Sequence, residues 1–210
     1  MLNKSTIVLC IAVLIAAALT ILFIDLPLAI WLRANRSDLI KAIFETITFF
    51  GRSELYLIPT AVFFILFRKT RQKSARKSLF IFSTVAVSGI LVDIIKVIAG
   101  RFRPVLYFNR GWFGFDFFRI DSDYLSFPSG HSATAMSFMV ALGRLFPEFR
   151  YFFYVAGIVI ASSRAVITAH YLSDVLVGGL IGVMTSVLLY NRFFRERVLN
   201  SNPSSTSSDC

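Results

Sequence analysis

The chain has 210 residues, of which 56% are hydrophobic and 16% are charged, and its mean hydropathy is +0.71. A soluble domain of this length carries more charge and less apolar surface, so the composition excludes a water-soluble globular protein and indicates an integral membrane protein. The formal net charge of +10 is compatible with either nucleic-acid binding or membrane topology as its cause.

Six hydrophobic stretches predict six transmembrane helices in one all-α bundle. A hydrocarbon core about 30 Å thick needs roughly 20 residues of helix. Four stretches approach that length; two are shorter, and one of these follows a more polar segment, 37–54. In chain order the six stretches are residues 5–24, 55–67, 78–99, 130–145, 151–169 and 172–190.

The bundle is predicted to form one domain, residues 1–199, followed by a Ser-rich tail, 200–210, that is expected to be disordered in the cytoplasm. The first apolar stretch lacks a convincing cleavage site before Asp25, so we interpret it as an uncleaved helix. The two cysteines, Cys10 and Cys210, have the spacing of neither a disulfide nor a metal site.

Basic residues orient the predicted bundle. With the amino terminus inside, the inner segments carry twelve Lys and Arg against three acidic residues, whereas the rest of the chain carries ten against nine. The largest inner group is the basic run 68–77. This asymmetry follows the positive-inside rule. The net charge is therefore explained by topology and by attraction to anionic lipid, and nucleic-acid binding is not indicated.

Three polar clusters interrupt the apolar sequence, and the predicted topology brings all of them to the outer, extracytoplasmic face. The first closes the third predicted helix, the second opens the fourth, and the third spans the turn between the fifth and sixth. The clusters are Lys96 with Arg103 and Pro104; Pro128, Ser129, Gly130 and His131; and Ser163, Arg164, His170 and Asp174.

The first cluster offers two cations to one anion. Lys96 and Arg103 are seven residues apart, which on a continuous helix places them on nearly the same face. Pro104 is expected to end that helix, and Asp93 is expected to pair with a cation one turn away. Basic residues at a helix end also reach toward lipid headgroups, and Arg101 is a candidate for that ordinary role.

The second cluster is typical of a helix start that binds an anion. Ser129 is expected to cap the fourth helix, Gly130 allows close backbone approach, and free amides at the helix start attract phosphate. His131 is one of only two histidines in the chain. The alternative interpretation is a plain helix cap beside an inert histidine.

The third cluster carries the most chemistry. Arg164 lies near the end of an otherwise apolar helix, where an unpaired guanidinium is costly and usually functional. His170 and Asp174 are four residues apart, a spacing that brings a carboxylate to an imidazole and leaves the other ring nitrogen as nucleophile or base. A structural polar contact between helices is the alternative. Gly178 and Gly182 are expected to serve close helix packing.

The order and spacing of these clusters resemble the three-part signature of the type 2 phosphatidic acid phosphatase family. Every position of that signature is matched, and the predicted six-helix layout agrees with the family over most of the chain except the tail. Soluble vanadium-dependent haloperoxidases and glucose-6-phosphatases share the signature. The short membrane chain favours the lipid phosphatase branch over the haloperoxidase branch.

The resemblance implies a role for each matched residue. His170 is expected to attack phosphorus, Asp174 to orient His170, and His131 to protonate the leaving oxygen and then to deprotonate water. Five residues would hold the phosphate oxygens, namely Lys96, Arg103, Ser129, Gly130 and Arg164. Fixed cations take the role that a metal often has, so no metal and no cofactor is expected.

The implied substrate is a phosphate carried by a membrane lipid. Candidates are phosphatidylglycerophosphate, undecaprenyl pyrophosphate, lipid A and phosphatidate, at the periplasmic face of a bacterial inner membrane. Residues 100–104 and 126–128 resemble the lipid A and phosphatidylglycerophosphate types. Phosphotransfer to an acceptor alcohol and non-catalytic lipid binding stay open. The aromatic segment 105–127 is expected either to shape a headgroup pocket or to anchor a loop at the interface.

Overall fold

The computed structural model describes residues 4–194, whose regular secondary structure is helical, with no β-strand in that range. The predicted tail, 200–210, and Cys210 lie outside the described residues. The α-helices of the described part are α1 (Lys4–Phe23), α2 (Asp25–Asn35), α3 (Asp38–Phe49), α4 (Glu54–Phe67), α5 (Gln72–Ala99), α6 (Pro104–Arg110), α7 (Gly130–Leu145), α8 (Arg150–Val166) and α9 (Leu172–Leu189). Short 3₁₀ turns lie at Ser122–Tyr124 and Pro147–Phe149, and a π-helical turn, Tyr190–Phe194, follows α9.

Within the described residues, five segments are long and apolar enough to cross a membrane. They are Thr6–Phe23, Asp38–Phe67, Gln72–Ala99, Pro147–Val166 and Leu172–Phe194. Helix α7 has the bounds predicted for the fourth crossing, but its 16 residues give a length of only about 24 Å. The all-α, integral membrane class is confirmed, with five candidate crossings among the described residues where six crossings were predicted.

The helices differ from the sequence-based prediction mainly at their ends. Helix α5 begins at Gln72, before the apolar stretch, because the basic residues there are good helix formers and extend the helix beyond its apolar part. Helix α2 was not predicted. Helix α3 occupies the polar segment before α4, and its start is capped by Ser37, whose Oγ accepts a hydrogen bond from the amide of Ile40 at 3.3 Å.

Helix α7 lies at the centre of the bundle and packs against α5, α8 and α9. Small residues on α9 allow this close approach. A Cβ atom on Gly178 would lie 2.3 Å from the carbonyl oxygen of Ser129, and one on Gly182 would lie 2.3 Å from that of Ala133. No side chain fits at either position, which confirms that the two glycines serve helix packing.

The direction of each helix places the three polar clusters at one end of the bundle. Helices α5 and α8 end there, and α7 and α9 begin there. The basic run 68–77 joins α4 to α5 at the opposite end. Residues that are far apart in the chain therefore meet around the start of α7.

Candidate active site

The turn between α8 and α9 presents His170. The carbonyl oxygen of Arg164 accepts hydrogen bonds from the amides of Ala169 and His170, at 3.0 and 3.1 Å. Thr168 in this turn has a φ of +55°, a conformation that β-branched residues rarely adopt. The turn ends α8 and directs the His170 side chain into the bundle, where it is 3% exposed.

The backbone carbonyl of Ser126 fixes the imidazole of His170. Nδ1 lies 2.8 Å from the Ser126 carbonyl oxygen and 3.5 Å from Oδ2 of Asp174. A carbonyl oxygen only accepts hydrogen bonds, so Nδ1 carries the ring hydrogen and Nε2 keeps its lone pair. Burial lowers the pKa of His170 to about 4, against the opposing effect of Asp174. The imidazole is therefore neutral at pH 7.

Ser126 was missed by the sequence analysis, which expected Asp174 to be the direct partner of His170. Asp174 lies nearby, but its shorter contact is with Ser126, whose Oγ donates to Oδ2 of Asp174 at 2.6 Å. The carboxylate of Asp174 therefore contacts the imidazole more weakly than the carbonyl of Ser126 does. It also holds Ser126, the residue that orients the imidazole. The only signal in the sequence was the place of Ser126 two residues before Pro128 in the second cluster.

Asp174 also accepts a hydrogen bond from Arg101, which corrects another expectation. Arg101 was a candidate for contact with lipid headgroups, but its side chain is 0% exposed. Its Nη1 lies 2.6 Å from Oδ1 of Asp174. The ordinary role suggested for Arg101 is thus wrong, because the loop after α6 folds back over this residue.

Arg103 reaches the site without sharing a helix with Lys96, contrary to the prediction. Helix α5 ends at Ala99 because Gly100 adopts a left-handed φ of +57°, where a Cβ atom would lie 1.8 Å from a carbonyl oxygen of the folded-back loop. The backbone is extended at Arg103. Pro104 starts α6 and does not end α5, since proline suits the first turn of a helix.

Arg103 borders an opening at the site end of the bundle. Its Nε donates to the carbonyl oxygen of Ser122 at 2.8 Å. Together with Val105, Ser122, Asp123, Thr168 and Ala169 it lines a cavity of about 310 Å³.

Three cations surround the histidines. Lys96 lies within electrostatic reach of Arg103 and Arg164, and its Nζ is 3.8 Å from Oδ1 of Asp93, which confirms the expected pairing. Nη1 of Arg164 contacts Oγ1 of Thr48 at 3.3 Å, whereas its buried Nε has no hydrogen-bond partner among residues 4–194. Buried donors are nearly always paired, so this Nε is available to an anion.

The start of α7 completes the site. Oγ of Ser129 accepts hydrogen bonds from the amide and Oγ of Ser132, at 3.4 and 2.9 Å, which confirms the predicted helix cap. A Cβ atom on Gly130 would lie 3.2 Å from Nζ of Lys96, so the glycine lets the ammonium group approach the helix start. His131 follows, within electrostatic reach of the other histidine and of all three cations.

The described residues thus bring together every side chain that the sequence analysis placed in the site. The roles of all of them stay predictions: phosphate binding by Lys96, Arg103, Ser129, Gly130 and Arg164, and catalysis by His170, His131 and Asp174. No group of three or more potential metal ligands of the His, Cys, Asp and Glu types occurs in the described part of the chain. Cations and amides at this end of the bundle form a site suited to a dianionic phosphate.

The loop between α3 and α4 supports His131. A Cβ atom on Gly51 would lie 3.0 Å from both Cβ and Cδ2 of His131. We expect Gly51→Ala to displace the imidazole by a few tenths of an ångström and to lower kcat about tenfold, because catalysis is sensitive to small misplacements. Gly89→Ala is the matched control, since a Cβ atom there meets nothing within 4 Å. Equal kcat values for the two variants would show that Gly51 does not position His131.

A helical membrane bundle with two histidines and three fixed cations at one end defines a membrane enzyme of phosphoryl transfer. The chain matches the PAP2 superfamily over residues 77–197, a range that contains all three polar clusters. It belongs to that superfamily and is a phosphatase, which confirms the family resemblance found in the sequence.

Two similar proteins are both named lipid A 1-phosphatase. The protein from Rhizobium etli is 34% identical over 185 residues, which cover 82% of this chain and 78% of the relative. The protein from Rhizobium johnstonii is 32% identical over 186 residues, which cover 82% of this chain and 75% of the relative.

Two crystal structures share the fold. LpxE from Aquifex aeolicus has a TM-score of 0.61 at 20% identity and covers 80% of this chain and 94% of its own. The first transmembrane PAP2 type phosphatidylglycerolphosphate phosphatase from Bacillus subtilis has a TM-score of 0.64 at 20% identity, with coverages of 93% and 98%. At this level of identity the likeness establishes the fold.

Proposed function

We propose that this lipid phosphatase of the PAP2 kind removes a phosphate from lipid A through a phosphohistidine intermediate and without a metal. The observation that carries the proposal is the imidazole of His170, which is held at Nδ1 by the carbonyl of Ser126 and keeps Nε2 free near Arg103 and Arg164. The similarity to two lipid A 1-phosphatases supports lipid A over the other candidate lipids.

In the first step, the lone pair on Nε2 of His170 attacks phosphorus, and the bond between phosphorus and the lipid oxygen breaks. The leaving oxygen takes a proton from His131. Charge develops on the non-bridging oxygens, where Lys96, Arg103 and Arg164 stabilise it. The amide of Gly130 and the hydroxyl of Ser129 add hydrogen bonds from the start of α7.

In the second step, His131 removes a proton from water while the water oxygen attacks the phosphohistidine. The bond between phosphorus and Nε2 breaks, which releases inorganic phosphate and returns His170 to its neutral form. Asp174 favours the positively charged imidazole of the intermediate through its contact at 3.5 Å. Atoms and protons balance over the two steps with water as the only co-reactant.

The proposed topology adds α7, fourth in chain order, to the five candidate crossings, which gives six crossings in a domain of residues 1–199, followed by a cytoplasmic tail of residues 200–210. A short α7 is compatible with crossing because α5, α8 and α9 surround it. The basic run 68–77 lies at the end opposite the site, which by the positive-inside rule supports a site at the periplasmic face of an inner membrane.

The first test is phosphate release by the purified protein in detergent with EDTA present. We expect release from lipid A, and less from phosphatidate, phosphatidylglycerophosphate and undecaprenyl pyrophosphate. Loss of activity with EDTA that is restored by a divalent cation would overturn the metal-independent mechanism. A new phosphate ester formed in the presence of an acceptor alcohol, without free phosphate, would instead establish phosphotransfer. If lipid A is not a substrate but another of the four lipids is, the phosphatase class stands and the lipid assignment fails.

A further inference from the structure

A buried ion network lies behind His170 and links it to the N-terminal part of the chain. Nη2 of Arg101 is 2.7 Å from Oδ2 of Asp25, and its Nη1 is 2.6 Å from Oδ1 of Asp174. All three side chains are fully buried. Asp25 is the first residue of α2 and lies outside the range that matches the superfamily.

Arg101 is held in place by aromatic rings as well as by carboxylates. Its guanidinium carbon lies 4.6 Å from the ring centroid of Tyr171 and 5.1 to 5.9 Å from those of Phe113, Phe115 and Phe127. Cation–π contacts of this kind strengthen when they are shielded from water. The aromatic segment 105–127 thus contributes a cage around Arg101, a role that neither sequence-based interpretation foresaw.

The network reaches His170 through Ser126. The amide of Ser126 donates to the carbonyl oxygen of Arg101 at 3.0 Å, and its Oγ donates to Asp174 at 2.6 Å. The carbonyl of the same residue accepts from Nδ1 of His170. Both routes from the arginine, through its backbone and through its side chain, therefore end at the residue that sets the tautomer of the imidazole.

Asp25 also fixes the start of α9. Its Oδ1 accepts a hydrogen bond from the amide of Ser173 at 3.0 Å, and its Oδ2 accepts one from the hydroxyl of the same residue. A carboxylate at a helix start satisfies free amides and interacts favourably with the helix dipole. Because Asp174 is the next residue, this contact fixes the backbone that carries the carboxylate behind His170.

We propose that Asp25 and Arg101 are positioning residues, which hold Asp174 and Ser126 so that His170 presents Nε2 to the phosphate. The inference rests on the proposed role of His170 as nucleophile. The guanidinium of Arg101 binds one carboxylate through Nη1 and the other through Nη2, a geometry that a lysine ammonium does not reproduce. The three charges sum to one negative charge, which remains available to stabilise the charged imidazole of the intermediate.

The test measures kcat/KM on lipid A against pH, a profile that reports the pKa values of the free enzyme, in Asp25→Asn, Arg101→Gln and Arg101→Lys. By analogy with the hydrogen-bond partners of metal ligands, whose loss typically costs 10- to 100-fold in activity, kcat/KM is expected to fall by about that factor in each variant. A smaller folded fraction would also lower the measured rate. It would not change the position of the acid limb, which is the pH range where the rate declines on the acidic side of the profile. The position of that limb is therefore the decisive readout, and ionisation of the substrate is common to all variants.

The sign of each shift follows from the charge that is removed. Arg101→Gln leaves an excess of negative charge, which favours the protonated imidazole, so the limb is expected to rise by about one pH unit from the wild-type pKa near 4. Asp25→Asn changes the net charge of the network from one negative charge to zero, which disfavours the protonated imidazole, so this variant is expected to lower the pH of the limb. Arg101→Lys keeps the charge and is expected to leave the limb in place. The charged groups that face His170 are unchanged in all three, namely Asp174, Arg103, Arg164 and His131.

Ser78→Ala is the control for a purely structural loss. Oγ of Ser78 is buried and donates to the carbonyl of Thr60 at 2.6 Å, away from the site. Its removal is expected to lower Tm and to leave the limb unmoved. If Asp25→Asn and Arg101→Gln also leave the limb unmoved, the network only stabilises the fold and the inference fails. Should Arg101→Gln not fold, the direction of the shift in Asp25→Asn decides alone. Activity that survives in His170→Ala would instead refute the proposed function itself.

Discussion

His170→Ala is expected to lose phosphate release by about 10⁴-fold or more, because removal of a nucleophile abolishes the covalent route altogether. The variant leaves no unpaired charge in the bundle, since the imidazole is neutral before the reaction. Tm is therefore expected to change far less than activity. Release from lipid A by purified wild type and variant, measured in the same detergent, checks the result.

His131→Ala is the matched control, because it removes the other histidine and leaves the nucleophile in place. With an aryl phosphate, whose leaving group needs no protonation, the first step is expected to proceed while attack by water is slow. A phosphoryl group on the protein that is stable to base and labile to acid should then accumulate in His131→Ala and be absent from His170→Ala. Accumulation in both variants would mean that another residue is the nucleophile.

The sequence was sufficient for those parts of the molecule that depend on local pattern. Helix α7 has its predicted bounds because Ser129 is a strong cap and an apolar stretch follows it. The three clusters were correctly placed at one face. That placement depends only on whether an even or an odd number of crossings separates one cluster from the next. Gly178 and Gly182 were assigned correctly because small residues at this spacing are typical of close helix contacts.

The parts that were missed depend on contacts between distant residues. Asp25 and Arg101 are 76 residues apart, and Asp25 and Ser173 are 148 apart, so no local pattern connects them. An arginine close to a helix end has the same local sequence whether it reaches lipid headgroups or is buried. Folding of the aromatic segment over Arg101 decides between the two, and that folding is a tertiary property.

The prediction that Lys96 and Arg103 share one helix was wrong, and the sequence contains the reason. Gly100 follows the last apolar residue of α5, and glycine just beyond a helix is a common stop because it adopts a left-handed conformation without strain. Spacing arguments assume a continuous helix, and here the glycine breaks it. The two cations still meet, since the chain turns back toward the site and Pro104 restarts a helix.

Arg164→Ala is expected to lower kcat by about 10² to 10³-fold, the usual loss when one donor to the developing charge is removed. The buried Nε of Arg164 has no hydrogen-bond partner among the described residues, so it is free to donate to a phosphate oxygen in the transition state. Arg164→Lys retains the charge without the forked donors and is expected to recover part of the loss.

The turn that presents His170 should survive this substitution, because the acceptor of the turn amides is the carbonyl of Arg164 and not its side chain. Arg68→Ala, which removes an exposed cation from the basic end of the bundle, is the matched control and is expected to retain wild-type kcat. The measurement is kcat on lipid A in both variants, together with Tm. If Arg164→Ala retained wild-type kcat and lost only Tm, its guanidinium would serve the contact with Thr48 and helix packing, and the phosphate would be held by Lys96 and Arg103 alone.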